Sequence, residues 1–286
     1  MPVATGDMAI STRPLNGLAP RPDFAQHSFL GGNTYMLDIL GQNAQALNIT
    51  ATGFDNAVTE TRTFLASAAS LTLENVMRVG DDLDFTVRVT NLSGHKFPSG
   101  YPSRRAWLHI TISDASGLVV FESGAIDATG KIADLESDSN LLGFETHYDV
   151  ITRVDQVQSY ETIMQNLDGN VTYTLLEAAT YRKDNRLLPI GMDKTLVPGT
   201  IQPRGDAMTD PDFVGGGDQV HYQIGGLVTG NYTIEANLNY QTMAYSFGQD
   251  LFKDADDSRV ALFKDLDDNA RIRFEMVSSD SRDINF

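Results

Sequence analysis

The side chains with the widest chemical repertoire in this chain are five histidines, His27, His95, His109, His147 and His221, set among 38 aspartates and glutamates. Imidazole can ligate a metal, complete the coordination of a haem iron or act as a general base. No two of the five lie within five positions of each other, so no single helix turn or strand carries a local ligand pair. Carboxylates are too plentiful for one pair to stand out as acid and base. H-E-x-x-H, G-x-S-x-G and a phosphate loop ending in G-K-[ST] are all missing, and Val214–Val220 (VGGGDQV) has neither the spacing nor the following helix of a phosphate loop.

Four of the histidines have a plain reading. His109 and His221 sit in strand-like alternation and read as surface or packing residues. His95 opens a loop rich in proline and glycine, and its plainest role is to hydrogen-bond that loop. An enzymatic reading would need His95 to converge with Asp184 and Arg186, which nothing in the spacing demands. His27 follows a proline-rich leader and precedes Ser28-Phe29-Leu30-Gly31-Gly32-Asn33, whose glycines allow close approach of another body. On residue chemistry alone its reading is structural.

Acidic stretches raise the question of calcium. LFKDADDSR (251–259) and LFKDLDDNA (262–270) form a near repeat, and on one helix an offset of eleven would place both copies on one face. An EF-hand is excluded, because Arg259 stands where the loop demands Gly and Asp265 where it demands Glu. A calcium site of another kind, using these carboxylates or those of Leu167–Asn170, is the alternative to a solvated acidic face.

The composition bounds the partners. A net charge of −17 repels a polyanion, so nucleic acid is excluded as a partner class. With no cysteine, disulfides, thiolate zinc sites, iron–sulfur clusters and haem attachment through C-x-x-C-H are excluded for these residues. No apolar run reaches the roughly 20 residues that span a bilayer. The first fourteen residues lack the basic start and apolar stretch of a secretory signal, which is then expected upstream if the protein is exported.

The elements that must position these residues follow from periodicity. Residues 1–23 predict an extended leader, since Pro2, Pro14, Pro20 and Pro22 block helix. Helices are expected over 24–47, with Asn33 as a cap, and over 53–69, packed as a hairpin. Leu83, Phe85, Val87 and Val89 then alternate with polar residues, as do Leu108, Ile110 and Ile112. Further strands are expected near 118–123, 156–163, 170–176, 219–224 and 231–240. The fold class read from this is mainly β: an antiparallel, Ig-like β-sandwich with long loop insertions. Residues 1–69 form the leader and hairpin, and 70–286 the sandwich domain. The connections 125–150 and 177–218 are long enough to cover or bind something.

Asn91–Ile132 (NLSGHKFPSGYPSRRAWLHITISDASGLVVFESGAIDATGKI) resembles the C-terminal, haem-free domain of bacterial multihaem c-type cytochromes, where this segment reads N-x-[TS]-G-H-K-x-P-[TS]-G-x-P-x-R-R-x-W-L. Later and earlier blocks are similar too: HSFLGGNTYML (27–37), QVQSYETIM (156–164) and YRKDNRLLPIGMDK (181–194). The opening Met1-Pro2 is similar to the residues that follow a final C-x-x-C-H in such proteins. The resemblance implies an accessory domain of electron transfer in the periplasm or outside the cell. Its partner would be a haem-bearing cytochrome region or subunit, or a second copy of the chain. It also implies that His27 is a candidate distal ligand to a neighbouring haem c, since a neutral imidazole suits low-spin iron. Covalent haem is not implied for this chain. The alternative is an extracellular carbohydrate- or protein-binding module, which one face carrying Tyr148, Tyr160, Tyr173, Tyr181 and Tyr222 would favour.

Overall fold

The computed structural model describes residues 3, 5–9, 11, 19–25 and 30–285. The chain forms two compact units, Met1–Gly31 and Gly32–Phe286. In the first, the leader doubles back on itself: Met8 and Arg21 exchange backbone hydrogen bonds of 2.9 Å in both directions, and Val3 bridges Ala25. Pro20 and Pro22 have no N–H to donate, which holds this pairing to isolated bridges.

The second unit opens with α1 (Thr34–Gln42) and α2 (Phe54–Leu65), which pack on each other. Asn33 caps α1, its Oδ1 accepting from the Met36 N–H at 2.9 Å. The helix expected over 24–47 is therefore much shorter. It starts after the Gly31-Gly32 pair, and Asn43 turns the chain out at its end.

Next come β1 (Ala69–Val79), β2 (Asp82–Asn91), β3 (Arg105–Asp114), β4 (Val119–Ser123) and a single turn of helix, α3 (Glu136–Ser139). Short strands β5 (Val150–Ile151), β6 (Ser159–Tyr160), β7 (Thr162–Gln165), β8 (Val171–Thr172) and β9 (Thr180–Asp184) follow. The chain ends with β10 (Gly217–Ile224), β11 (Asn231–Gln241), α4 (Tyr245–Leu251), α5 (Ser258–Asp268) and β12 (Glu275–Asn285).

These strands make a β-sandwich. One sheet runs β1-β2-β10-β5 and the other β12-β11-β3-β4, with β6 paired to the start of β3; β8-β7-β9 form a small third sheet. Pairing is antiparallel except for the two-residue β5, which lies parallel to β10. The alternating residues do what their spacing predicts: Leu83, Phe85, Val87 and Val89 of β2 face Leu108, Ile110 and Ile112 of β3 across one core. Trp107 points to the other side of its sheet. There Ile132, Leu135 and Val157 cover it, so the long 125–150 connection is a lid over an aromatic side chain.

The acidic near repeat does not lie on one helix. Its first copy runs from the end of α4 through a 3-10 turn, and its second lies in α5. Asp257 interrupts them by capping α5, accepting from the Arg259 N–H. The copies meet at Phe252, whose ring centroid lies 6.0 Å from that of Phe263 and 5.6 Å from Lys264 Nζ.

Candidate functional site: two histidine–carboxylate triads

In β10 the pleat sends Asp218, Val220, Tyr222 and Ile224 into the core and Gln219, His221 and Gln223 to the other face. The parallel β5 lies alongside, and the His221 N–H donates to the Asp149 carbonyl at 2.8 Å. The 206–217 connection closes the corner through an Asx turn, in which Asp210 Oδ1 accepts from the N–H groups of Asp212 (2.9 Å) and Phe213 (3.2 Å). Three segments thus deliver His147 and Asp149, Asp210 and Asp212, and Asp218 and His221. They sort into an inner triad, His147–Asp210–Asp218, and an outer one, Asp149–Asp212–His221, each with donor atoms within 4.8 Å of one another.

The inner triad is buried throughout. His147 Nε2 lies 3.0 Å from Asp210 Oδ2 and 3.9 Å from Asp218 Oδ2. On the other side of the ring, Gln158 Nε2 (2.8 Å) and Asn185 Nδ2 (3.0 Å) both reach Nδ1. The orientation of each amide is held by backbone: Gln158 Oε1 accepts from the Tyr148 N–H, and Asn185 Oδ1 from the Glu161 N–H. Two N–H donors therefore meet Nδ1, which must accept, and the ring proton sits on Nε2, donating to Asp210.

Asp218 Oδ2 accepts from the Tyr160 hydroxyl at 2.8 Å and from Gln158 Nε2 at 3.2 Å, while its Oδ1 is buried without a hydrogen-bond partner. Burial, with the nearby charges of Asp210 and Asp212, pushes the Asp218 carboxyl up to about 6 against the opposing effect of His147 and Tyr160. At Asp210 desolvation acts upward too, but the His147 N–H and the Asp212 backbone overcome it and bring the carboxyl down to about 2.

The outer triad is half open. His221 Nε2 lies 3.0 Å from Asp212 Oδ2 and 3.9 Å from Asp149 Oδ1, and its Nδ1 lies 3.2 Å from the hydroxyl of Thr86, the residue directly opposite on β2. Asp212 Oδ1 is buried without a partner, and desolvation and the adjoining Asp210 raise the Asp212 carboxyl. Arg88 and Lys194 are the neighbouring cations. Arg88 bonds Glu74 and Gln219 at 2.8 Å each, and Lys194 bonds the carbonyls of Ala207 and Asp210.

The inner triad continues into a buried polar layer. Lys183 Nζ donates to Ser159 Oγ (2.8 Å) and Glu161 Oε1 (3.0 Å). Arg105 grips Asp138 through two bonds of 2.7 Å and donates to Gln241 at 2.8 Å. At the other end Lys96 pairs with Asp184 at 2.7 Å, Asn91 Nδ2 donates to the carbonyls of His95 and Leu187, and Phe97 and Leu187 exchange backbone bonds. The loop from Asn91 to Trp107 and the segment from Tyr181 to Lys194 are thus two halves of one clamp.

This placement settles several sequence expectations. His27 lies outside the described residues. His95 is exposed, with Nδ1 against the Lys96 carbonyl, and takes no part in the Lys96–Asp184–Arg186 cluster. His109 meets Glu122 at 2.8 Å on the surface of its sheet. The tyrosines do not share one face, because Tyr160 and Tyr222 are core residues. His147, Asp149, Asp210, Asp212 and Asp218 were not singled out by sequence. The signal was there, as polar residues at i and i+2 in 147–149 and 210–212, but it is indistinct among 38 acidic residues.

No protein-family model and no curated protein matches the chain. Among solved structures it is similar to a penta-heme cytochrome c552 from Thermochromatium tepidum, with 17% sequence identity and a TM-score of 0.45 over 78% of this chain and 41% of that one. The chain therefore spans about two fifths of the length of that cytochrome.

Proposed function

We propose that this chain is a haem-free accessory domain of a multihaem c-type cytochrome, acting in electron transfer outside the cytoplasm by docking against and shielding the haem-bearing part. The observation that carries the reading is the clamp. Three blocks of the resemblance, at 91–108, 156–164 and 181–194, meet in one buried network through Lys96–Asp184, Asn91–Leu187 and Lys183–Glu161. The segments that carry the resemblance thus lie together in this chain, which supports the reading. Polar residues of those blocks face inward, where they hold loops in place, and the sandwich surface is left to meet a partner.

Covering a haem edge lowers the local dielectric constant and excludes water. Both change reduction potential without any chemistry by the cover itself. In this reading His27, which follows the leader in sequence, supplies a distal imidazole to a haem of the partner.

The test is to titrate the full chain into a multihaem cytochrome fragment that lacks such a domain and has one haem with an open distal position, and to follow heat and the haem absorption spectrum. A saturable complex is expected, with a spectral change that His27→Ala abolishes. Binding with an unchanged spectrum would remove the ligand role of His27 and keep docking. No binding at all would overturn the reading.

A further inference from the structure

The geometry points to the outer triad, Asp149, Asp212 and His221, as a binding site for a first-row divalent metal ion of the zinc type. This inference stands apart from haem docking and rests on four observations.

The first is spacing. Zinc bonds to nitrogen and oxygen of about 2.0–2.1 Å in a tetrahedron place neighbouring donors about 3.3 Å apart. His221 Nε2 stands 3.0 Å from Asp212 Oδ2 and 3.9 Å from Asp149 Oδ1, so small side-chain shifts seat an ion.

The second is the state of the imidazole. A ligating nitrogen needs a free lone pair, with the ring proton on the other nitrogen. His147 cannot offer this, because two amide N–H groups hold its Nδ1 as an acceptor. His221 can, because its Nδ1 faces the Thr86 hydroxyl, which accepts an N–H as readily as it donates one. An outer partner of this kind is what fixes a metal-bound histidine.

The third is a carboxylate oxygen left without a donor: Asp212 Oδ1 is buried and makes no hydrogen bond. Among the described residues no lysine or arginine bonds a carboxylate oxygen of Asp149, Asp210, Asp212 or Asp218; Arg88 and Lys194 are engaged elsewhere. Lys194 and Arg88 act on these carboxylates only through space, so a cation bonded directly to them would stabilise their ionised form further.

The fourth is access. The side chains of Asp149 and His221 are 47% and 39% exposed, so an ion can enter and a water can complete its coordination. One imidazole among the donors favours zinc-like ions over calcium, which prefers an all-oxygen shell.

The experiment is calorimetric titration of the full chain with zinc chloride at pH 7.5, repeated with calcium chloride, alongside the visible spectrum of the cobalt(II)-loaded chain. One zinc ion per chain is expected, with calcium binding far more weakly. His221→Ala should abolish saturable binding and the cobalt spectrum. Thr86→Val, which removes the outer partner and keeps the shape, should weaken binding about ten-fold. Asp254→Asn, in the exposed acidic tail, should change nothing. Circular dichroism confirms that each variant is folded. Absence of saturable zinc binding would overturn the proposal. So would retention of full affinity by a folded His221→Ala chain, or equal affinity for calcium, which would mark a diffuse acidic surface.

Discussion

The two triads are built from the same residue types, one histidine and two aspartates, and from the same three segments, yet their chemistry differs. The inner one is closed on every side: amides on Nδ1, a carboxylate on Nε2, and a tyrosine hydroxyl on Asp218. The outer one has a hydroxyl where the inner has two amides, and solvent where the inner has Tyr160. Burial and the donor opposite Nδ1, more than residue identity, separate a structural histidine from one free to bind. The inner triad anchors the 206–217 connection to β10, and that anchor presents Asp212 to His221.

The largest effect should come from breaking the inner triad. His147→Leu leaves Asp210 Oδ2 without its donor and one amide N–H each of Gln158 and Asn185 without an acceptor, and is expected to cost on the order of 3–5 kcal/mol in urea unfolding. A loss under about 1 kcal/mol would contradict its structural role.

A second measurement separates the triads by pH. The folded state holds the Asp218 carboxyl at about 6, above its ordinary value of 3.8, so it binds that proton more tightly than the unfolded chain does. This carboxyl therefore makes wild-type stability fall as pH rises from about 4 to about 6. Asp218→Asn has no such charge. The stability difference between the two should shift in favour of the variant by about 2–3 kcal/mol across that window. A difference independent of pH would show that Asp218 is not strained in its ionised form.

The smallest effect belongs to the outer triad. In metal-free buffer His221→Ala should change unfolding free energy by less than about 1 kcal/mol, as for other half-exposed pairs. A loss as large as that of His147→Leu would erase the distinction between the two.

Legibility in the sequence followed the physics of each element. The strands around Leu83–Val89 and Leu108–Ile112 were readable because each has a buried and a polar face. β12 was not, because it is a polar edge strand with only Val277 and Glu275 buried. Its role is to supply side chains: Ser278 Oγ and Asp280 Oδ2 accept from the Leu71 and Leu73 N–H groups of β1. No alternation announces a strand of that kind. The candidate site was the least legible part. His147, Asp210 and Asp218 are far apart in the chain, and each looks like one polar residue among many.

What the sequence alone determined is the sandwich, the Asn33 cap and, with no cysteine in the chain, the exclusion of cysteine chemistry. Alternation, capping and charge are local or additive properties, so they survive without coordinates. Only the tertiary structure decided which polar residues are buried, that the Asn91–Trp107 loop and the Tyr181–Lys194 segment form one clamp, and which histidine stands half-exposed beside two carboxylates. Those outcomes depend on which donor stands opposite which acceptor across more than sixty residues of chain between His147 and Asp210, and folding alone sets that.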